Sequence, residues 1–147
     1  MRTLRHHSRK TIVRKPKLSA PASNEVLMKR LIMVLLHSAT NAHILHLQTK
    51  SYAEHVALGA YYEGIVGPVD SLVENMQGMA GEIIRGYPLE NSAFDESMSG
   101  LAYMTRIREL FLEHRPAFPA SASQIQNILD TILELINSTI YKLKFLH

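Results

Sequence analysis

Three histidines and three carboxylates lie close together in one strongly helical stretch of this sequence. They are His43, His46 and His55, followed by Glu63, Asp70 and Glu74. Imidazole and carboxylate together form a ligand set that suits iron, zinc or manganese. The spacings of seven and four positions put the three carboxylates on roughly one helix face. Burying so many ionisable groups is costly unless they are paired or bind a cation, so the pattern favours a metal site.

The same stretch resembles the ferritin-like Dps proteins, mini-ferritins that oxidise iron and often protect DNA. That family carries two histidines twelve positions apart, then Asp, Asp and Glu at four, fifteen and nineteen positions after the second. Here His43 and His55 are twelve apart, and Asp70 and Glu74 follow His55 by fifteen and nineteen positions. The position four after His55 is Gly59, which offers no ligand. The segment HLQTKSYAEH, residues 46–55, resembles the sequences of small ferritin-like proteins of unassigned role encoded by short-tailed bacteriophages.

The resemblance implies a homo-oligomer whose metal site lies at a dimer interface. In the Dps arrangement the histidines come from one subunit and the later acidic pair from its two-fold mate. Within one helix His55 and Asp70 are about 22 Å apart, so one chain cannot bring them to a single ion. Glu63 is the candidate substitute at the missing position, although it lies a full turn from Gly59. The implied metal is iron, with zinc or manganese as alternatives, and the implied activity is of the ferroxidase type.

Each of these residues also has a purely structural interpretation. His43 and His46 are equally well read as histidines at the edge of a core, satisfied by backbone or side-chain partners. Asp70 and Glu74 are equally well read as a solvated pair one helical turn apart, repelling each other slightly. Both interpretations stay open at this stage.

Apolar periodicity predicts four helices and no strands. The predicted spans are about Glu25 to Gln48, Tyr52 to Met79, Asp95 or Ser97 to His114, and a last helix opened by Ser121 or Ser123. Ser51 and Glu54 predict a capping box at the second helix, and Gly67–Pro68 predicts a kink within it. A long connection between helices two and three favours an all-α, ferritin-like four-helix bundle over residues 24–147.

Positive charge is concentrated at the start of the chain. Residues 1–23, which we call the arm, contain no acidic residue and seven basic ones: Arg2, Arg5, Arg9, Lys10, Arg14, Lys15 and Lys17. Nine basic and thirteen acidic residues remain, so the body carries −4. This asymmetry predicts a basic, extended arm that binds a polyanion, foremost DNA, by sequence-independent phosphate contacts. An acidic protein surface, a merely solvating tail and a transit peptide are the alternatives.

Two function classes remain from the sequence. One is a Dps-like mini-ferritin that binds metal at a homodimer interface and nucleic acid through its arm. The other is a non-enzymatic, ferritin-fold structural protein of a phage particle or DNA-associated assembly, with a degenerate metal site. The absence of cysteine excludes disulfides and thiolate chemistry, and no Gly-x-Ser-x-Gly or phosphate-binding Gly loop occurs. We expect no membrane partner and a cytoplasmic protein of a bacterium or phage-infected cell, or a virion-associated one.

Overall fold

The computed structural model describes residues 23–88, 94–95 and 97–146. In these ranges the chain forms four α-helices and no strand: α1 (Asn24–Gln48), α2 (Tyr52–Ala80), α3 (Gly100–His114) and α4 (Ser123–Phe145), with a 3-10 turn at Arg115–Ala117. The all-α prediction is therefore confirmed for the described part of the chain. The basic residues predicted for the arm all lie outside it.

The helices pack as a bundle with a square cross-section. α1 packs against α2 and α3, and α4 packs against the same two helices. The backbone N–H of Gly100 bonds to Glu54, so α3 begins where α2 begins. Gln124, at the start of α4, reaches Met79 at the end of α2. The connection between α2 and α3 therefore traverses the bundle, and these two helices run in the same direction. The finer, ferritin-like assignment remains a prediction.

The core is apolar except for a few satisfied polar groups. Its largest fully buried side chains include Tyr61, Tyr103 and Phe111. The Ser38 hydroxyl donates to the carbonyl of Leu35 at 2.6 Å, which leaves the Tyr61 hydroxyl to donate to Ser38 at 2.7 Å. Burial raises the pKa of the Tyr61 phenol, although its bond to Ser38 acts in the opposite direction. Tyr61 is thus a neutral core residue.

The first two helices begin where their capping residues predict. The side chain of Ser23 accepts from the N–H of Val26, and that of Ser51 accepts from the N–H of Glu54. α2 continues as one helix through Pro68 to Ala80, so the proline does not end it. No helix formed by the described residues is long and apolar enough to cross a membrane.

The start of α3 was predicted too early. The Asp95 carboxylate accepts the N–H of Ser97, which makes a local turn in place of a helix cap. The helix begins at Gly100 instead, where the side chain of Ser99 accepts from the N–H of Ala102. Neither predicted start, Asp95 or Ser97, caps the helix, because both residues belong to this local turn.

The buried stripe of α4 also differs from the prediction in one place. The apolar periodicity of the last helix predicts that Tyr141 is buried, but Tyr141 is 55% exposed and Ile140 is buried instead. α4 begins at Ser123 after Ala122, with no side-chain cap. Its register is therefore set by its apolar stripe, including Ile125, Leu129, Ile132 and Ile136, which packs on the other helices.

The Glu54 carboxylate joins three parts of the bundle. It accepts the hydroxyl of Thr49, which follows α1, and at 2.9 Å the backbone N–H of Gly100, which begins α3. A Cβ at Gly100 would overlap this carboxylate, so a larger residue there would displace the Glu54 side chain. Only one of the two hydrogen bonds of the predicted capping box forms. The Ser51 side chain accepts from the N–H of Glu54, but the N–H of Ser51 donates to the Thr49 hydroxyl at 3.1 Å and not to the Glu54 carboxylate. A carboxylate at the N-terminus of α3 is also favoured by the helix dipole.

Replacing Glu54 by alanine should lower the free energy of unfolding by about 1–3 kcal/mol, because two donors lose a charged acceptor and one is a backbone N–H. Urea denaturation measures this. Glu63→Ala is the matched control, since Glu63 is exposed on the same helix and its removal should change stability by no more than about 0.5 kcal/mol. Equal losses in the two variants would contradict the role given to Glu54.

Candidate functional site: an aromatic face on α1 and α2

Four rings from α1 and α2 form one continuous surface cluster. His43 stacks on Tyr62 with centroids 4.1 Å apart, and His46 stacks on His55 at 3.7 Å. His46 also meets Tyr62 edge-on at 5.2 Å and His43 at 5.8 Å, which connects the two stacks. His43 and His55 are exposed, and His46 and Tyr62 are half-buried. The structure thus brings together the three histidines predicted from the sequence.

Hydrogen bonds to the backbone determine which ring nitrogen carries the hydrogen in His46 and His55. Nδ1 of His46 lies 2.7 Å from the carbonyl of His55, and Nδ1 of His55 lies 3.1 Å from the carbonyl of His46. A carbonyl only accepts, so each Nδ1 must carry a hydrogen and donate it. In the neutral ring the lone pair then resides on Nε2, the atom that remains free to bind a proton or a metal ion.

This reciprocal pair also completes the end of α1. The last four carbonyls of a helix have no partner within it. The N–H of Thr49 bonds to the carbonyl of Leu45, and the ring of His55 bonds to that of His46. Since His55 belongs to the first turn of α2, the pair holds the end of one helix against the beginning of the next. It is a structural contact in its own right, as the alternative interpretation of His46 predicted.

Gly59 explains why the expected carboxylate ligand is missing. A Cβ at this position would lie 3.3 Å from Cε1 and 3.4 Å from Nδ1 of His46. The ring of His46 therefore packs directly over Gly59, in the space that a ligand side chain would need. Glu63, the predicted substitute, is exposed and forms no hydrogen bond or ion pair among the described residues.

The other two predicted ligands lie away from the histidines. Asp70 and Glu74 are exposed and line a cavity farther along α2, where Met33 and Leu36 of α1 form the opposite wall. Within the described residues no group of three or more His, Asp or Glu side chains is arranged to hold a metal ion. Within one chain the histidine cluster of α1 and α2 and the two carboxylates of α2 therefore lie apart.

A protein family of unknown function, DUF5856, matches residues 46–143, which is two thirds of the chain. The chain belongs to this family. No curated protein and no solved structure matches it.

Membership of DUF5856 corrects the family resemblance drawn from the sequence. The assignment to Dps or to phage ferritin-like proteins is wrong, because the matching family is a different one and its span contains His55, Asp70 and Glu74. The physical reason is visible at Gly59. The ring of His46 packs over this glycine, where the family would have a ligand, and its Nδ1 bonds to the backbone carbonyl of His55.

The stack also restricts what chemistry this member of DUF5856 can perform with its histidines. The planes of His46 and His55 are only 22° apart. Ring nitrogens bind a metal at about 2.0–2.1 Å along in-plane lone pairs, and lone pairs in two nearly parallel planes do not converge on one ion. A metal bound by both rings would require one of them to turn.

Tyr62 is the member of the cluster that sequence reasoning did not place there. Tyr62 follows His55 by seven positions, so the two share a face of α2, and this spacing was a usable signal. What the spacing does not reveal is that His43, from another helix, stacks on it. The role of Glu54 at Gly100 was missed for the same reason, since 46 positions separate the two residues.

Gly59→Ala should not give the stabilisation that alanine normally brings to a helix, about 0.5–1 kcal/mol. The new methyl group would press on the His46 ring and weaken its bond to His55. Gly78→Ala is the matched control, because Gly78 lies in the same helix with no atom within 4 Å of an added Cβ.

Thermal unfolding and the imidazole proton shifts measure the two variants. Gly78→Ala should raise the free energy of unfolding with the imidazole signals unchanged, whereas Gly59→Ala should shift the signals of His46 and His55. Equal stabilisation in both variants, with no shift, would show that the ring does not depend on the glycine.

Proposed function

We propose that this protein is a non-enzymatic, nucleic-acid-associated helical protein, in which the arm binds phosphates and the four-helix body is the folded unit that it carries. The observation that supports this most is the separation of charge. All seven cations of the first 23 residues precede any acid, and the body is net negative.

The structure adds where the negative charge of the body lies. From residue 51 to residue 84 the sequence has five acidic residues and no lysine or arginine. This range contains all of α2, and its Glu63, Asp70 and Glu74 are exposed. Such a face repels a polyanion, so we expect the arm and not this face to bind phosphates. Contacts of this kind recognise the backbone and not the base sequence.

For the body we propose the ferritin-like arrangement as an architecture, without membership of that family. Its support is the long connection after α2, which leaves α2 and α3 running in the same direction. We further propose that the body self-associates and that the protein works within a larger DNA-associated or particle-like assembly. An acidic protein surface is the alternative partner of the arm.

Binding to mixed-sequence duplex DNA should depend steeply on salt. If five to seven arm cations neutralise phosphates, the slope of log affinity against log salt should be about −5 to −6, at roughly −0.9 per contact. Fluorescence anisotropy at several salt concentrations measures it. A chain with the seven arm cations replaced by glutamine, and one lacking residues 1–22 but keeping the Ser23 cap, should both lose binding and keep their helical content.

The matched control removes cations from the body. Lys142→Gln with Lys144→Gln, on α4, should leave the slope unchanged within about one contact. Unchanged DNA affinity after neutralisation of the arm would contradict the proposal. A shallow slope with no retention of DNA would favour the acidic protein surface instead.

A second candidate function is binding of a divalent metal ion, namely iron, zinc or manganese, between two copies of the chain. The observation that favours it is the hydrogen bonding of His46 and His55, since metal-binding imidazoles commonly donate their other ring N–H to a carbonyl. The carboxylates of Asp70 and Glu74 from a second copy would complete the ligand set.

Zinc titration by calorimetry tests this candidate. The unmodified protein should bind the ion, and His55→Ala should weaken binding by about 10–100-fold. Asp70→Asn should do the same only if two copies share the site. His37→Ala, a histidine of α1 outside the cluster, is the control. Absent zinc binding, or equal affinity in all variants, would remove the candidate.

A further inference from the structure

An open groove runs along the outer side of α1 and α2, near the point where the arm joins the body. Its wider part, about 510 Å³, lies between the start of α1 and the end of α2 and includes Glu25, Met28 and Met76. Its narrower part, about 230 Å³, continues along the same helices to Leu36, Asp70 and Glu74. Ile32 lines both parts, so they form one surface, which we call the α1/α2 groove.

The wider part of the groove is lined by apolar residues and by both signs of charge, including Lys29 and Arg85, whereas the narrower part carries carboxylates that lack partners among the described residues. Ile83, in the wall of the wider part, is 62% exposed. Asp70 and Glu74 lie one turn apart, and neither has a hydrogen-bond or ion-pair partner among the described residues. Like charges at this spacing repel each other. The groove therefore suits a segment that offers apolar side chains and cations together.

The arm has this composition. Ile12 and Val13 stand between Lys10 and Arg14, and Leu18 follows Lys17. In an extended segment, alternate residues face opposite sides, so such a sequence can present apolar groups to the groove and cations to its carboxylates.

The arm also starts in the right place. Its last residue, Ser23, caps α1, and Glu25 two positions later already lines the groove. Met33, which faces Asp70 across the narrower part, lies about 14 Å along α1 from Asn24, at 1.5 Å per residue. The 22 preceding residues can extend over roughly 70 Å, so they can follow the whole groove of their own chain.

We propose that the arm docks into the α1/α2 groove of its own chain, with its cations on Asp70 and Glu74, and that a polyanion must displace it. Docking in the groove thereby limits DNA binding by the arm. The competition, though not the docking, rests on the proposed function. Because the competing carboxylates are tethered to the arm, they act at a high effective concentration and weaken DNA binding by the fraction of arms that are docked.

A spin label on the full-length chain tests the docking directly. The sequence has no cysteine, so Ser8→Cys provides a single site for a nitroxide. The label should broaden the backbone amide signals of residues 69–76 and 82–85 and leave those of residues 125–135 in α4 sharp. The double variant Asp70→Asn with Glu74→Gln should remove the broadening. The control double variant Glu113→Gln with Glu134→Gln removes the same amount of charge from α3 and α4, and it should leave the broadening unchanged.

The same two double variants test the competition. Neutralising Asp70 and Glu74 should raise DNA affinity about three- to tenfold, as expected if roughly 70–90% of arms are docked. The control pair should raise it less than about twofold, because it changes only the overall charge. Adding DNA to the labelled protein should sharpen the broadened signals.

The outcomes separate the two proposals. Absent or evenly spread broadening would overturn the docking, even if DNA binds. Broadening that occurs only between a labelled and an isotopically enriched chain would overturn docking within one chain and assign the groove to a neighbouring copy. Broadening as expected with no DNA binding would support the docking and remove the proposed function.

Discussion

The bundle depends on the corner between α1 and α2, where only three residues, 49–51, separate two long helices. Two helix ends meet there, one exposing carbonyls and the other N–H groups, and both sets need partners. The imidazoles of His46 and His55 bond to each other's carbonyls, and Ser51 caps α2. At the same corner, the Glu54 carboxylate accepts a hydrogen bond from the first N–H of α3. The start of α3 is thereby fixed beside the corner, and the connection after α2 must traverse the bundle to reach it.

α2 has two contrasting faces, one buried in the core and one exposed. Its inner face, with Leu58, Tyr61, Ile65 and Leu72, is fully buried and packs on α1 and α4. Its outer face carries negative charge and no cation. This face contributes little to the core, so its charge must be understood through what it attracts or repels. We propose that it repels phosphate and attracts the arm, which holds seven cations and no acidic residue.

Local signals in the sequence were sufficient for α1 and α2, because Ser23 and Ser51 are caps that act within three residues. They were insufficient for α3, where Asp95 closes a competing turn with Ser97 and the true start is stabilised by Glu54, 46 positions away. The site shows the same limit. Spacing placed the histidines near one another, but it did not reveal that their rings bond to the backbone of the opposite helix. Gly59 looked like a missing ligand and is the surface on which His46 packs.

The carboxylates of Asp70 and Glu74 pose the remaining physical question, because like charges one turn apart on a helix are unfavourable without a cation nearby. A metal ion shared with His55 would need a second chain, since about 22 Å of helix separates His55 from Asp70. The arm needs no second chain and no ion from solution. A short tether holds its cations at an effective concentration in the millimolar range, even when each exposed ion pair is weak. Of the two cation sources, the arm is therefore the one whose proposed docking on these carboxylates does not depend on protein concentration.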